Sequence, residues 1–151
     1  MMGVKRVVIG CDHGAYQQKV FLKQYLEKCG YSVVDVGCTA DERVDYPDIA
    51  VKVCRNVRTG ACDRGIMLDG AGIGSSMVCN KVRGIRAALC YDLRTIINSR
   101  EHNNANVLTL GGPLHSAGDL SEMVRVWLET SFSGGRHLVR INKMMALERG
   151  E

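Results

Sequence analysis

The chain has 151 residues, 46% hydrophobic and 24% charged, which suits one globular domain burying roughly two thirds of its unfolded surface. Its net charge of +4 comes from 20 basic and 16 acidic residues spread along the whole length, so there is no basic stripe to track a phosphate backbone and no nucleic-acid partner is expected. No apolar run reaches the length of a bilayer crossing or a secretory leader, and the seven cysteines form no CxxC pair, so the expectation is a soluble, cytoplasmic protein without disulfides, metal or membrane partner.

In chain order, short β-rich runs alternate with longer segments of helical period. Arg6 to Gly10 reads as a first strand, uniformly apolar after its arginine and followed by Asp12-His13-Gly14. Tyr16 to Lys28 reads as a helix whose apolar face is Val20, Leu22, Tyr25 and Leu26, with Gly30 as its stop. A second strand, Ser32 to Val36, leads to a second helix, Pro47 to Thr59, entered through Asp45 or Tyr46 with proline in the first turn. Gly65 to Asp69 is the third strand, and it runs straight into the glycine loop Gly70-Ala71-Gly72-Ile73-Gly74-Ser75-Ser76 and a helix over Ile73 to Lys81. Then come a strand from Ile85 to Cys90, a helix from Leu93 to Ser99, His102-Asn103-Asn104, a strand from Asn106 to Leu110 and a helix from Ala117 to Thr130. After Phe132 the segment SGGRHLVRINKMMALERG is a glycine hinge followed by a basic, partly amphipathic tail. Strands buried on both faces read as near-continuous apolar runs, so this alternation predicts an α/β fold with a parallel sheet covered by helices on both faces.

Ligands of open parallel sheets collect at the carboxyl ends of the strands, which directs attention to Asp12-His13, the glycine loop and Tyr91-Asp92. Glycines at 70, 72 and 74 let backbone N–H groups approach a phosphate or a developing oxyanion at a helix N-terminus. The spacing is GxGxG after the third strand, not the dinucleotide fingerprint GxGxxG after the first. Taken one at a time these features have bland readings: a tight turn for the glycines, a structural pair for Asp12 and His13, cap chemistry for His102 and Asn103, and a solvated basic face for Arg136, His137 and Arg140. What raises them together is the expectation that independent loops point toward one rim.

The motifs GCDHG, DYPD at 45–48, the glycine loop with NKVRGIRAALCYD at 80–92, REHNNANVLTLGG at 100–112 and FSGGRHLVRI at 132–141 resemble, in that order, the type-B ribose-5-phosphate isomerases and the related galactose-6-phosphate isomerase subunits. The resemblance spans essentially the whole chain. It implies a three-layer α/β/α Rossmann-like single domain with a five-stranded parallel sheet, a C-terminal helical tail (about 133–151) packing on a partner subunit, and a homodimer or homotetramer with shared active sites. It further implies cofactor-independent aldose–ketose isomerisation of a sugar phosphate through a cis-enediolate, with ribose 5-phosphate to ribulose 5-phosphate as the first expectation. Moving one proton between adjacent carbons needs an acid/base group, an oxyanion site and a phosphate grip, and nothing redox-active.

By the same resemblance His102 assists ring opening, Asp12 and Asn103 bind hydroxyls, Tyr46 lines the pocket, and His13, Arg136 and Arg140 grip the phosphate. The tail arginines and His137 reach in from the partner. The amides of Gly70 to Gly74 stabilise the enediolate oxygen, and Ala71, Gly72 and Ser75 face the substrate. Four positions depart from the pattern. Asp69 stands where most members carry a catalytic cysteine, and Ser75 where another branch carries a glutamate base. Ala71 replaces a common threonine and Pro113 a common arginine. Asp69 is therefore expected as general base, with capping of the following helix as the alternative. An aspartate at this place also occurs in one galactose-6-phosphate isomerase subunit whose partner carries the cysteine. Another tetrose, pentose or hexose phosphate as substrate, or a catalytically silent binding subunit, thus stays open beside the first reading.

Overall fold

Val7 to Cys11 form an unbroken apolar run, and in the computed structural model, which describes residues 3–151, they are the buried part of β1 (Arg6–Cys11). The remaining strands are β2 (Ser32–Asp35), β3 (Arg64–Asp69), β4 (Ala87–Leu89) and β5 (Val107–Gly111). The helices are α1 (Tyr16–Lys28), α2 (Tyr46–Arg58), α3 (Ile73–Cys79), α4 (Leu93–Glu101), α5 (Ala117–Glu129) and α6 (Arg136–Glu148), with 3-10 turns at His13–Ala15 and Gly112–Leu114. All five strands are parallel, in the order β2-β1-β3-β5-β4. The order reverses between β1 and β3, which makes a crevice at their carboxyl ends.

Alternation along the strands sorts side chains into two cores. Val7, Ile9 and Cys11, Ile66 and Leu68, and Leu108 and Leu110 pack under Leu22 and Leu26 of α1, Ile96 of α4, and Leu120, Val124 and Trp127 of α5. Val8, Met67 and Val107 face Ile49, Ala50 and Val53 of α2 and Cys79 of α3. Each fully buried side chain of this size contributes about 1.5–3 kcal/mol of transfer free energy. Helix α2 lies close because two strand residues are glycine: a Cβ at Gly10 would fall 2.7 Å from the Ile49 side chain, and one at Gly65 2.7 Å from that of Val53.

The fold is thus the expected three-layer α/β/α arrangement, with small boundary differences. β4 keeps only Ala87–Leu89, because the Arg86 N–H is diverted to the Asn106 side chain at 2.8 Å. α3 stops at Cys79, where Lys81 and Val82 donate to Val78 and Cys79 in successive tight turns. α4 runs on to Glu101, started by a reciprocal cap between Asp92 and Thr95. Six cysteines (11, 38, 54, 62, 79 and 90) are buried, and Cys29 is exposed. Burial pushes the Cys11 thiol up to about 12. Among the described residues no helix is long and apolar enough to cross a membrane.

α6 is tied to the body near its two ends. His137 stacks on His102, and the Glu148 carboxylate accepts from the Gly84 N–H at 3.0 Å. Between α6, α4 and the edge strand β4 runs a groove of about 1110 Å³ lined by Ala88, Leu89, Tyr91, Met144, Met145 and Leu147.

Candidate active site

The carboxyl edge of the sheet carries the first group of expected residues. Asp12 follows β1, its N–H donating to Leu68 O and its carboxylate accepting from Gly14 N at 3.0 Å. Asp69 ends β3, directly across the ladder from this turn, because Cys11 pairs with Leu68. Gly72 adopts φ +78, and a Cβ there would meet Leu89 at 2.6 Å and the Leu110 backbone at 2.9 Å, so only glycine fits this turn. Tyr46, at the first position of α2, lays its ring over Gly74: a Cβ at residue 74 would lie 2.4 Å from the ring. Gly74→Ala is therefore expected to push the Tyr46 ring out and cost about 1–3 kcal/mol, read by urea denaturation, with most of the loss recovered in Gly74→Ala/Tyr46→Ala. His13, exposed, lines with Arg43, Asp48 and Lys52 a cleft of about 580 Å³ at this edge.

Asp69 itself is only 5% exposed. One carboxylate oxygen accepts from the Ala71 N–H (3.0 Å) and the Gly72 N–H, and the other from the Ser75 N–H (3.2 Å) and the Ser75 hydroxyl (2.6 Å). The α3 N-cap, Gly72, has no side chain to offer, so Asp69 satisfies the orphan amides from three residues upstream. The capping geometry weighed from the sequence is thus present. Ser75 is fully buried, its hydroxyl spent on Asp69 rather than opening onto the cleft.

The second group lies elsewhere. His102 is the C-cap of α4, and Asn103 follows it into the turn that feeds β5. α4 returns antiparallel to the strands, so a loop before β5 lies at the amino edge, while Asp69 pairs with Gly111 at the far end of that strand. The five residues of β5 separate the two groups by roughly 15 Å along the sheet. The expectation that these loops share one rim within a chain is therefore corrected. Asp12, His13, Tyr46 and the glycine loop share the carboxyl edge, and His102 and Asn103 do not join them.

What His102 does meet is the tail. Its ring stacks on His137 with centroids 4.1 Å apart and planes 12° from parallel, which places the start of α6, with Arg136 and Arg140, on the same side. Asn98, which the sequence reading passed over, organises the pair: its amide donates to His102 Nδ1 at 3.0 Å, leaving the ring proton on Nε2, and its Oδ1 accepts from Asn103 at 3.0 Å. The i, i+4 and i, i+5 spacings at the end of a helix were the available signal. Burial, with the charges of His102, Arg136 and Arg140, holds His137 below the ordinary imidazole value.

The profile of a family described as Ribose/Galactose Isomerase matches residues 7–144. A ribose-5-phosphate isomerase B structure from Clostridium thermocellum superposes with a TM-score of 0.94 at 43% identity, covering 96% of this chain and 98% of its own. The ribose-5-phosphate isomerase B of Escherichia coli is 36% identical over 146 residues, 97% of this chain and 98% of its own. Galactose-6-phosphate isomerase subunit LacA 2 of Streptococcus pyogenes is 34% identical over 138 residues, 91% of this chain and 96% of its own.

Proposed function

The chain belongs to the Ribose/Galactose Isomerase family, and from that premise we propose that it interconverts an aldose phosphate and its ketose, ribose 5-phosphate and ribulose 5-phosphate first, with Asp69 as the general base. The observation that carries the reading is a carboxylate set among loop amides at the topological switch point of the sheet, beside Asp12 and under the reach of Tyr46. Asp12 binds a substrate hydroxyl and His13 the phosphate. Asp69 takes the proton from C2 of the open-chain aldose as the C1 carbonyl becomes an enediolate oxygen, then returns it to C1 while the O2 proton passes to O1. Since Ala71, Gly72 and Ser75 amides are turned onto Asp69, the developing oxyanion falls to Gly70 and Gly74.

Ring opening and the phosphate grip are assigned to His102, Asn103, Arg136, His137 and Arg140, which one chain holds about a strand's length away. A homodimer or homotetramer that sets the amino-edge group of one subunit over the carboxyl edge of another completes the site. The exposed apolar side chains Met77, Tyr91, Leu138, Val139, Met144 and Leu147 suit α6 and its surroundings to that contact. The His102 proton on Nε2 is then available to the ring oxygen. Incubation with a panel of tetrose, pentose and hexose phosphates in D2O tests the reading: solvent deuterium should enter C1 of the ketose from ribose 5-phosphate, and preference for a hexose or tetrose phosphate would reassign the substrate.

A second reading, a catalytically silent sugar-phosphate-binding subunit paired with an active paralogue, is favoured by one observation. All four hydrogen bonds to Asp69 come from its own loop and helix. Sugar-phosphate binding without deuterium incorporation by the chain alone would select it.

His137 gives a pH signature. An imidazole held below its ordinary value of 6.5 is neutral in the free protein at pH 7, and a phosphate dianion beside it restores the charge. Substrate binding at pH 7 is thus expected to take up protons, and KM to rise as pH climbs through neutrality. Calorimetry in two buffers of different ionisation enthalpy reads the uptake, which should vanish in His137→Gln.

A further inference from the structure

The hydrogen bonds on Asp69 are not equivalent. Three of its donors are backbone amides, of Ala71, Gly72 and Ser75, fixed by the loop and the first turn of α3; they cannot be withdrawn without unwinding that turn. The fourth is the Ser75 hydroxyl, 2.6 Å from Oδ2 in a side chain with no solvent exposure. A carboxylate offers about four lone-pair sites, so with four donors in place none is open to a proton arriving from carbon. A hydroxyl turns about one bond, and a serine in a helix can satisfy itself on a carbonyl one turn back.

Resting on the reading of Asp69 as base, we propose that Ser75 is its positioning residue, a buried latch whose hydroxyl holds Oδ2 while the site is empty and swings off it to open the lone pair that receives the substrate proton. No covalent bond is made or broken at Ser75. Its hydroxyl keeps its own hydrogen throughout, and the proton that moves goes from C2 to Oδ2 and back to C1. The latch fixes the carboxylate in one rotamer and, when closed, occupies the lone pair that the substrate proton needs.

The test is kcat and KM, measured separately for ribose 5-phosphate, in the wild-type oligomer, Ser75→Ala, Ser75→Cys and Asp69→Asn. Alanine removes the donor; cysteine keeps the shape and only weakens it, which guards against a folding defect. With the carboxylate no longer held in one rotamer, kcat is expected to fall about tenfold in Ser75→Ala with KM within a few-fold, and to fall only part of the way in Ser75→Cys. Asp69→Asn should be inactive. An unchanged kcat in both serine variants, with Asp69→Asn dead, overturns the latch and leaves the base in place. Turnover surviving in Asp69→Asn overturns both.

Discussion

Replacing Asp69 with asparagine is expected to lower turnover by about 10³-fold while leaving sugar-phosphate affinity within a few-fold. The substitution keeps the shape of the side chain and removes its capacity to carry a proton. It also turns one acceptor oxygen into an NH2 group facing fixed backbone donors, the amides of Ala71 and Gly72 or that of Ser75. An unsatisfied buried contact of that kind costs about 1–3 kcal/mol, so a lowered melting temperature should accompany the kinetic loss. The two effects separate under conditions where the variant is fully folded: deuterium exchange at C2, followed by NMR, should then remain absent. Turnover close to wild type in the folded variant would reduce Asp69 to the cap of α3.

Mixing two inactive variants is expected to restore activity. Asp69→Asn spoils the carboxyl-edge group and His102→Ala the amino-edge group, and these lie at opposite ends of the strands of one chain. In a two-fold dimer with shared sites, each mixed dimer has one site with both lesions and one with neither. Random reassortment makes half the dimers mixed, so recovery should approach about a quarter of the wild-type rate. Co-unfolding and refolding of tagged variants gives the measurement, and isolation of the doubly tagged species should raise the recovery to about half. Activity that stays at the sum of the two parents would mean that each chain works with its own residues alone.

These expectations show which parts of the molecule the sequence makes plain. The strands were legible because each is a short apolar run bounded by turn residues, and Gly72 announced itself through a chemistry that only glycine allows. The glycine loop and Asp12 were legible for the same reason, since both directly follow strands and so sit at the end where ligands gather. His102 was placed wrongly because adjacency to a strand was taken without its direction: a loop that enters a parallel strand and one that leaves it stand at opposite edges. Asn98 was missed because nothing marks an asparagine near a helix end as an orienting group until its partners are seen. The Asp69–Ser75 contact closes across six residues through a turn whose dihedrals no periodicity encodes.

The interior placement of the sulfur atoms has a practical consequence. With six cysteines inside the two cores and none between Asp69 and Met77, thiol-directed reagents find Cys29 alone among the cysteines at the surface, at the end of α1. On the proposed mechanism, whose acting groups are oxygen and nitrogen atoms, alkylation of Cys29 is expected to leave turnover unchanged.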